Sequence, residues 1–169
     1  IIKAKLQAFL SPPQQTFIRY QDRDTRFVAR YARAIAYYQS GEAEKALSAI
    51  DKLIQERPDN PYLWELKGQV LFENARTAEA AVAHARSVEL KPNAPLLRVN
   101  YAQSLIALND KSRLEEAITQ LNRALSVEND NSFAWRLMSQ AYDTLDKPGP
   151  ARLAAAEAKF ADGQLAEAR

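Results

Sequence analysis

The pattern of small, apolar and polar positions repeats along most of the chain. Small residues recur at steps of 34, 34 and 37 residues, and two further series, one of alanines and one of larger residues, share this spacing. The three series are Ala34, Gly68, Ala102 and Ser139; Ala46, Ala80, Ala117 and Ala151; and Tyr37, Leu71, Leu105 and Tyr142. Because one amphipathic helical pair cannot bury its own apolar face, this period predicts a stack of repeated helix–turn–helix units.

Turn and cap residues set the expected limits of the helices. Gly41 and the Pro58–Pro61 run mark turns, and Asn60 is a good N-cap ahead of Pro61 in the first helical turn. We expect the 3 extra residues of the 37-residue step to lengthen the loop 109–111, with Ser112 and Glu115 as a capping box. The predicted helices cover about 26–40, 43–57, 61–74, 77–90, 95–108, 113–127, 132–145 and 148–161, after a helix at 1–10 and a connecting segment at 14–24 that could in part extend the next helix backwards.

The residues at the repeated positions resemble one known family. Trp64, Gly68, Ala80 and Pro92 stand at the offsets of the tetratricopeptide repeat, whose period is about 34 residues. The resemblance implies an all-α fold, a right-handed superhelical stack of about four such repeats plus an N-terminal helix. Its predicted parts are a linker helix and loop over 1–25 and a repeat domain over 26–169, with units at about 27–60, 61–94, 95–131 and 132–161 and then the start of a truncated helix.

Composition narrows the function to binding. The 169 residues carry a net charge of +2, which indicates no strong field for nucleic acid or membranes. There is no cysteine, and His84 is the only histidine, so neither a thiol nucleophile nor a two-histidine zinc site can be built. We expect His84 to be a packing residue, and the chain to be no enzyme and to hold no cofactor.

The first helices of the repeats provide the candidate binding surface. Stacked repeats line a concave groove with these helices, and positions at helical spacing share one side. The resulting stripe is mainly apolar and aromatic, which is typical of a protein- or peptide-binding surface. An alternative is that the N-terminal helix or a missing domain covers it. The predicted groove residues are Tyr31, Ile35, Tyr38, Tyr62, Glu65, Gln69, Phe72, Val99, Gln103, Ile106, Phe133 and Gln140.

A basic cluster precedes and enters the first repeat. Its members are Arg19, Arg23, Arg26, Arg30 and Arg33, which would share one face if a helix began near Arg19. We favour a solvated or ion-paired face, with docking against a neighbouring acidic domain through Arg30 and Arg33 as the alternative. A role in binding nucleic acid has little support because the net charge is small.

A second resemblance is more specific than the repeat. The runs Ala29–Tyr37 (ARYARAIAY) and Pro61–Gly68 (PYLWELKG) resemble the C-terminal region of BepA-type bacterial zinc metallopeptidases. The resemblance implies a periplasmic parent that handles misassembled outer-membrane proteins, with a zinc-binding HExxH protease domain absent from this chain. It implies that the repeats recruit substrate or assembly machinery and pack on that domain. The alternative is a free-standing adaptor or assembly scaffold with no protease attached.

The close approach of paired helices can be tested at Ala80. Replacing Ala80 by Leu should overpack the helix pair and lower the free energy of unfolding by roughly 1–3 kcal/mol. Thermal unfolding followed by circular dichroism measures this change. An unchanged melting temperature would refute the assignment of the alanine positions to close helix contacts.

Overall fold

A computed structural model describes residues 8–163, and these residues form helices joined by short turns. Residues 8–10 are helical. The nine helices that follow within the described range are α1 (Pro13–Arg19), α2 (Phe27–Gln39), α3 (Ala43–Glu56), α4 (Pro61–Glu73), α5 (Thr77–Leu90), α6 (Pro95–Ala107), α7 (Lys111–Leu125), α8 (Ser132–Thr144) and α9 (Pro148–Ala161). Most of the predicted helix at 1–10 and the predicted helix start after residue 163 lie outside the described residues.

The helices pack in sequential pairs within two compact units, Ile1–Ala83 and His84–Arg169. In the first unit α2 packs on α3, and α3 packs on α4. In the second unit α6 packs on α7 and α8 on α9, while α7 and α6 both contact α8. The division falls inside α5, and each unit is described by itself below.

The small residues of the repeat lie where the pattern predicts close contacts. In the first unit Ala34, Ala46 and Ala80 are fully buried in one core with Leu63 and other large aliphatic side chains. In the second unit Ala102 and Ala117 are fully buried in a core that contains Leu97, Leu105, Leu114 and Leu121. These positions have no room for a larger side chain without separating the helices.

One turn position has a left-handed backbone in all four repeats. The φ angles are +74° at Gly41, +59° at Ala75, +55° at Asn109 and +56° at Asp146. These residues follow one another at the repeat spacing, and each lies between the first and second helix of its unit. Asparagine and aspartate tolerate this conformation and glycine adopts it freely, whereas alanine is strained by its Cβ atom.

The longer third repeat differs from the prediction. Helix α7 begins at Lys111, so Ala117 is its seventh residue, whereas Ala46, Ala80 and Ala151 are each the fourth residue of their helices. The 3 extra residues therefore make the helix begin almost one turn earlier instead of lengthening the loop. The predicted capping box is wrong as well. Asp110 is the N-cap and accepts bonds from the Ser112 backbone N–H (2.9 Å) and hydroxyl (2.7 Å).

The segment 14–24 was predicted to connect two helices, and this is wrong in part. Residues 13–19 form the separate helix α1, which begins with Pro13 at its first position and packs on α2. Helix α2 begins only at Phe27, so the five arginines do not share one helix face. Phe17 of α1 packs against Tyr37 of α2, with ring centroids 5.0 Å apart, and this contact stabilises the separate helix.

Two polar contacts recur at the repeat spacing. In the second, third and fourth repeats, the fourth residue of the first helix donates a side-chain hydrogen bond to the carbonyl six residues earlier, in the turn between repeats. Trp64 bonds Pro58 O at 2.8 Å, Arg98 bonds Pro92 O at 2.7 Å and Trp135 bonds Asn129 O at 2.9 Å. Ion pairs also join successive repeats, from Arg76 to Glu44 (3.1 Å) and from Lys147 to Glu115 (2.6 Å).

The left-handed turn predicts an unusual stabilising substitution. Replacing Ala75 by Gly should raise the free energy of unfolding by about 0.5–1 kcal/mol, because relief of the Cβ strain exceeds the added entropy of the unfolded chain. The converse substitution, Gly41→Ala, should lower it by about 1 kcal/mol, and space is no obstacle because nothing lies within 4 Å of the added Cβ. Urea unfolding compares both variants with the parent. A less stable Ala75→Gly variant would contradict the strain at this turn.

Candidate protein-binding surface

The first unit places two predicted groove residues, Tyr38 and Gln69, in one hydrogen-bonded group, with a third, Phe72, packed against the same core. The Gln69 side chain on α4 donates to the Tyr38 hydroxyl on α2 at 3.1 Å, and to Glu73 Oε1 at 3.3 Å. Phe72 is half-buried and packs against the same core as Tyr38. Burial, together with hydrogen bonding to Glu73, raises the pKa of Tyr38 above its ordinary range. This group combines an aromatic ring, an amide and a carboxylate on neighbouring first helices.

Three predicted groove residues of the first unit lie in its interior. Tyr31 is 2% exposed, Ile35 is fully buried and Glu65 is 6% exposed. Burial, with a smaller contribution from the charge of Glu65, raises the pKa of Tyr31. These residues form the floor beneath the surface rather than the surface itself. Helical spacing gives the direction of each side chain from its helix but not the depth at which it lies.

Part of the first repeat is covered from within the chain. Ala8 is fully buried in the same core as Tyr31 and Ile35, and Phe9 packs against that core. The Gln39 side chain donates to the Phe9 carbonyl at 3.1 Å, which ties the N-terminal residues to the end of α2. The alternative in which the N-terminal segment covers part of the stripe therefore has a structural basis at Tyr31 and Ile35. Tyr62, at the start of α4, is 40% exposed and lies at the open end of the face.

In the second unit too, some of the predicted groove residues are buried in the core and others are accessible. Val99 (2% exposed) and Ile106 (5% exposed) belong to the core, and Gln103 between them is half-buried. Phe133, the second residue of α8, is 40% exposed, and Gln140 on the same helix is exposed. The accessible residues of this unit are thus Phe133 and Gln140, with Gln103 contributing part of its amide.

The two arginines predicted as docking residues make contacts inside the first unit. Arg30 forms a two-pronged ion pair with Glu56 at the end of α3, with one Nη2–Oε2 distance of 2.6 Å, and it lowers the pKa of that carboxyl. Arg33 is 9% exposed and donates to the carbonyls of Tyr20 (3.2 Å), Gln21 (2.7 Å) and Asp24 (3.0 Å). Arg33 therefore holds the turn after α1 against α2.

His84 is a packing residue, as expected. It is 3% exposed, and its Nδ1 lies 2.8 Å from the Ser104 hydroxyl oxygen, which itself donates to the Asn100 carbonyl at 3.2 Å. Across residues 8–163 no group of three histidine, cysteine or acidic side chains is arranged to hold a metal ion. Over the same residues no helix has the length and apolar character needed to cross a membrane.

Sequence reasoning missed one member of the Tyr38 group. Glu73 was not among the predicted groove residues, although it follows Gln69 by four positions on α4 and lies at the exposed edge of the face. Spacing of four places two side chains next to each other on a helix, so a polar partner for Gln69 could have been found from the sequence.

The comparisons with known proteins agree with the geometry of the repeats. The family profile described as the cytochrome c-type biogenesis protein H TPR domain matches residues 42–151. The chain belongs to this family of tetratricopeptide-repeat domains. The predicted all-α tetratricopeptide fold is confirmed, and so are the family resemblances found in the sequence. A domain of this class is a protein–protein interaction module.

Similar proteins place the chain among repeat domains at low sequence identity. The beta-barrel assembly-enhancing proteases of Yersinia pestis and Escherichia coli (strain K12) are 24% and 25% identical over 144 and 140 residues, covering 85% and 83% of the chain. The chain spans 29% and 28% of the length of these two relatives. In structure the chain is similar to MamA from AMB-1 (TM-score 0.82, 18% identity, 96% of both chains) and to YrrB, described as a TPR protein with an unusual peptide-binding site (TM-score 0.76, 18% identity, 98% of this chain and 86% of that one).

Buried tyrosines predict a loss of stability in alkali. Burial is the largest cause that raises the pKa of Tyr31, Tyr38 and Tyr101. A raised pKa in the folded state means that the phenols stay neutral in the fold while the unfolded chain ionises from about pH 10 upwards. The contribution of these phenols to the free energy of unfolding should therefore be constant below about pH 10 and fall as the pH rises further.

A spectrophotometric titration of phenolate absorbance measures this effect directly. The Tyr38→Phe variant should lose one late-titrating phenol. It should also show a smaller fall in stability in alkali. If all tyrosines of the folded chain ionised in one step near pH 10, the burial of these three hydroxyls would be contradicted.

Proposed function

We propose that the chain binds an extended segment of another protein along its first helices. The observation that carries this proposal is the group formed by Tyr38, Gln69 and Glu73, with Phe72 and the exposed ring of Tyr62 on the same helices. Aromatic side chains supply large contact areas at protein interfaces. The Gln69 amide offers a donor and an acceptor that a peptide backbone can use. The second unit, taken by itself, offers side chains of the same kinds in Gln103, Phe133 and Gln140.

The proposed ligand is peptide-like because, among the described residues, no cluster that could hold a metal ion accompanies the surface. The polar atoms of the Tyr38 group already bond one another, so a ligand would exchange these bonds for its own backbone groups at little net cost. Hydrogen-bonded polar groups beside aromatic rings favour a ligand that presents peptide backbone and apolar side chains. The ring of Tyr38 packs against the buried core that contains Tyr31 and Ile35.

We further propose that the chain is the recruiting part of a periplasmic zinc metalloprotease in outer-membrane protein quality control. The similarity to beta-barrel assembly-enhancing proteases supports this proposal, and it covers 83–85% of the chain. In this proposal zinc is bound only by the protease domain. The partners are the chain's own protease domain and misassembled outer-membrane proteins or their assembly machinery. The arrangement would place catalysis outside this chain and leave capture of the substrate to the repeats.

A free-standing adaptor or assembly scaffold is the second candidate. The match to the cytochrome c-type biogenesis protein H TPR domain favours it, because that family's description names a biogenesis factor and no protease. The coding sequence upstream of Ile1 separates the two candidates. An HExxH motif there would support the protease, and an upstream stop codon would contradict it.

The groove proposal predicts a loss of capture on removal of two aromatic rings. The Tyr38→Ala, Phe72→Ala double variant should bind unfolded outer-membrane β-barrel protein about tenfold or more weakly, since truncated aromatic anchors cost about 2 kcal/mol or more. Binding is measured by pull-down with a purified, urea-released β-barrel protein and then by titration. Circular dichroism should show unchanged helix content.

The matched control is Phe160→Ala. Phe160 is 62% exposed and lies on α9, the second helix of the fourth repeat. The substitution therefore removes an aromatic ring that lies outside the predicted stripe. This control should bind like the parent chain. Equal binding by the double variant and the parent would discard the groove. Capture of the β-barrel protein by neither would contradict the proposed recruiting role.

A further inference from the structure

The third repeat carries a charge where its neighbours carry a neutral ring. Trp64, Arg98 and Trp135 occupy the same repeat position, and each donates one side-chain bond to the turn between repeats. An indole N–H is sufficient for that bond in the second and fourth repeats. The structural requirement at this position therefore does not explain why the third repeat has a guanidinium group.

Arg98 is buried, and none of the described residues gives it an acidic partner. It is 8% exposed, and it donates hydrogen bonds to the Pro92 carbonyl oxygen and the side-chain oxygen of Gln120, both neutral. No ion pair to Arg98 occurs among the residues that the structure describes. Burial of a cation is unfavourable unless an anion compensates its charge.

A second arginine increases this excess of positive charge. Arg123 lies in the last turn of α7, and the causes that lower the pKa of Arg98 are burial first and then the charge of Arg123. In the preceding repeat the equivalent residue, Arg86, pairs with Glu89 at 2.9 Å. In the third repeat Ser126 stands where Glu89 would be, and its hydroxyl donates to the Arg123 carbonyl instead. The third repeat therefore has the basic residue, Arg123, without the acidic partner that Arg86 has in the second.

These groups line one small pocket of the second unit. The pocket has a volume of about 280 Å³, and no acidic residue contributes to its lining among the described residues. Its polar lining residues are Arg98, Arg123, Ser126 and Asn93, and its apolar ones are Pro92, Pro95 and Val127, the last of which is 67% exposed. A larger basic pocket on the first unit differs, because Asp22 and Glu44 line it and its Arg30 is paired with Glu56.

We propose that this pocket receives a carboxylate side chain of a protein partner, held between Arg98 and Arg123. Guanidinium groups bind carboxylates through paired hydrogen bonds. The apolar lining of Val127, Pro92 and Pro95 suits an acidic residue with an aliphatic stem and apolar sequence neighbours. The inference rests on the proposed function in one respect, that the partner is a protein. It uses none of the groove residues.

The test titrates the chain with a defined peptide. The probe is an acetylated and amidated pentapeptide of alternating valine and glutamate. Its neutral control has glutamine in place of each glutamate. Inorganic phosphate is the third ligand tested. All are compared at matched ionic strength by calorimetry and amide shifts in NMR spectra. The glutamate peptide should bind and perturb residues 92–98 and 123–127, and the glutamine peptide should not.

Three variants separate this site from nonspecific attraction. Arg123→Gln should weaken the glutamate peptide about tenfold, whereas Arg86→Gln, at the equivalent and already paired position, should not. Arg98→Trp restores the residue of the neighbouring repeats, so it should keep the turn bond and the fold yet abolish binding. The Tyr38→Ala, Phe72→Ala variant should bind this peptide like the parent, which keeps failure of the groove distinct from failure of the pocket.

An independent readout is stability without ligand. Arg123→Gln should raise the melting temperature, because it removes a like charge beside Arg98, whereas Arg86→Gln should not raise it. The proposal is overturned if the glutamate peptide binds no better than the glutamine peptide, or if both arginine variants weaken it equally. Tighter binding of phosphate than of the peptide would overturn the carboxylate assignment.

Discussion

Close approach of the two helices within each repeat is the constraint on which the other features depend. Ala34 and Ala46 in the first repeat, like Ala102 and Ala117 in the third, are fully buried where the paired helices contact each other. Helices that pack this closely leave large side chains such as Ile50 or Leu121 to fill the space on either side. The remaining apolar face of each pair must be covered by a neighbour, so stacking and repetition follow from the small residues.

The periodic part of the fold is predictable from sequence, and the local choices at its ends are not. Small residues at a fixed spacing identify the helix pairs, and Asn60 was correctly expected as an N-cap, where it accepts the Tyr62 N–H at 3.1 Å. The start of α7 was misplaced because Asp110 and Ser112 are both good capping residues, and the sequence does not rank them. Helix α1 was missed because its few turns depend on packing against Tyr37 rather than on its own periodicity.

The candidate surface shows a similar division between direction and depth. Helical spacing brought Tyr38 and Gln69 to the same face of neighbouring helices, where they share a hydrogen bond. The same spacing included Tyr31, which is buried in a core that also contains Ala8. Spacing determines the direction of a side chain from its helix, but whether that direction meets solvent depends on segments far away in the sequence. Burial could therefore not be derived from the repeat alone.

Repetition also provides an internal control for each side chain. A role needed by every repeat recurs at every equivalent position, as the left-handed turn does at Gly41, Ala75, Asn109 and Asp146. A residue that departs from its equivalents, while the shared contact persists, adds something that the stack itself does not need. Arg98 meets this condition, because Trp64 and Trp135 make the same turn bond without a charge. Arg30, the arginine at this position of the first repeat, is instead paired with Glu56, whereas Arg98 has no ion pair among the described residues. Recognition in such an array is thus expected where one repeat differs from its neighbours, since the common residues are already required to hold the helices together.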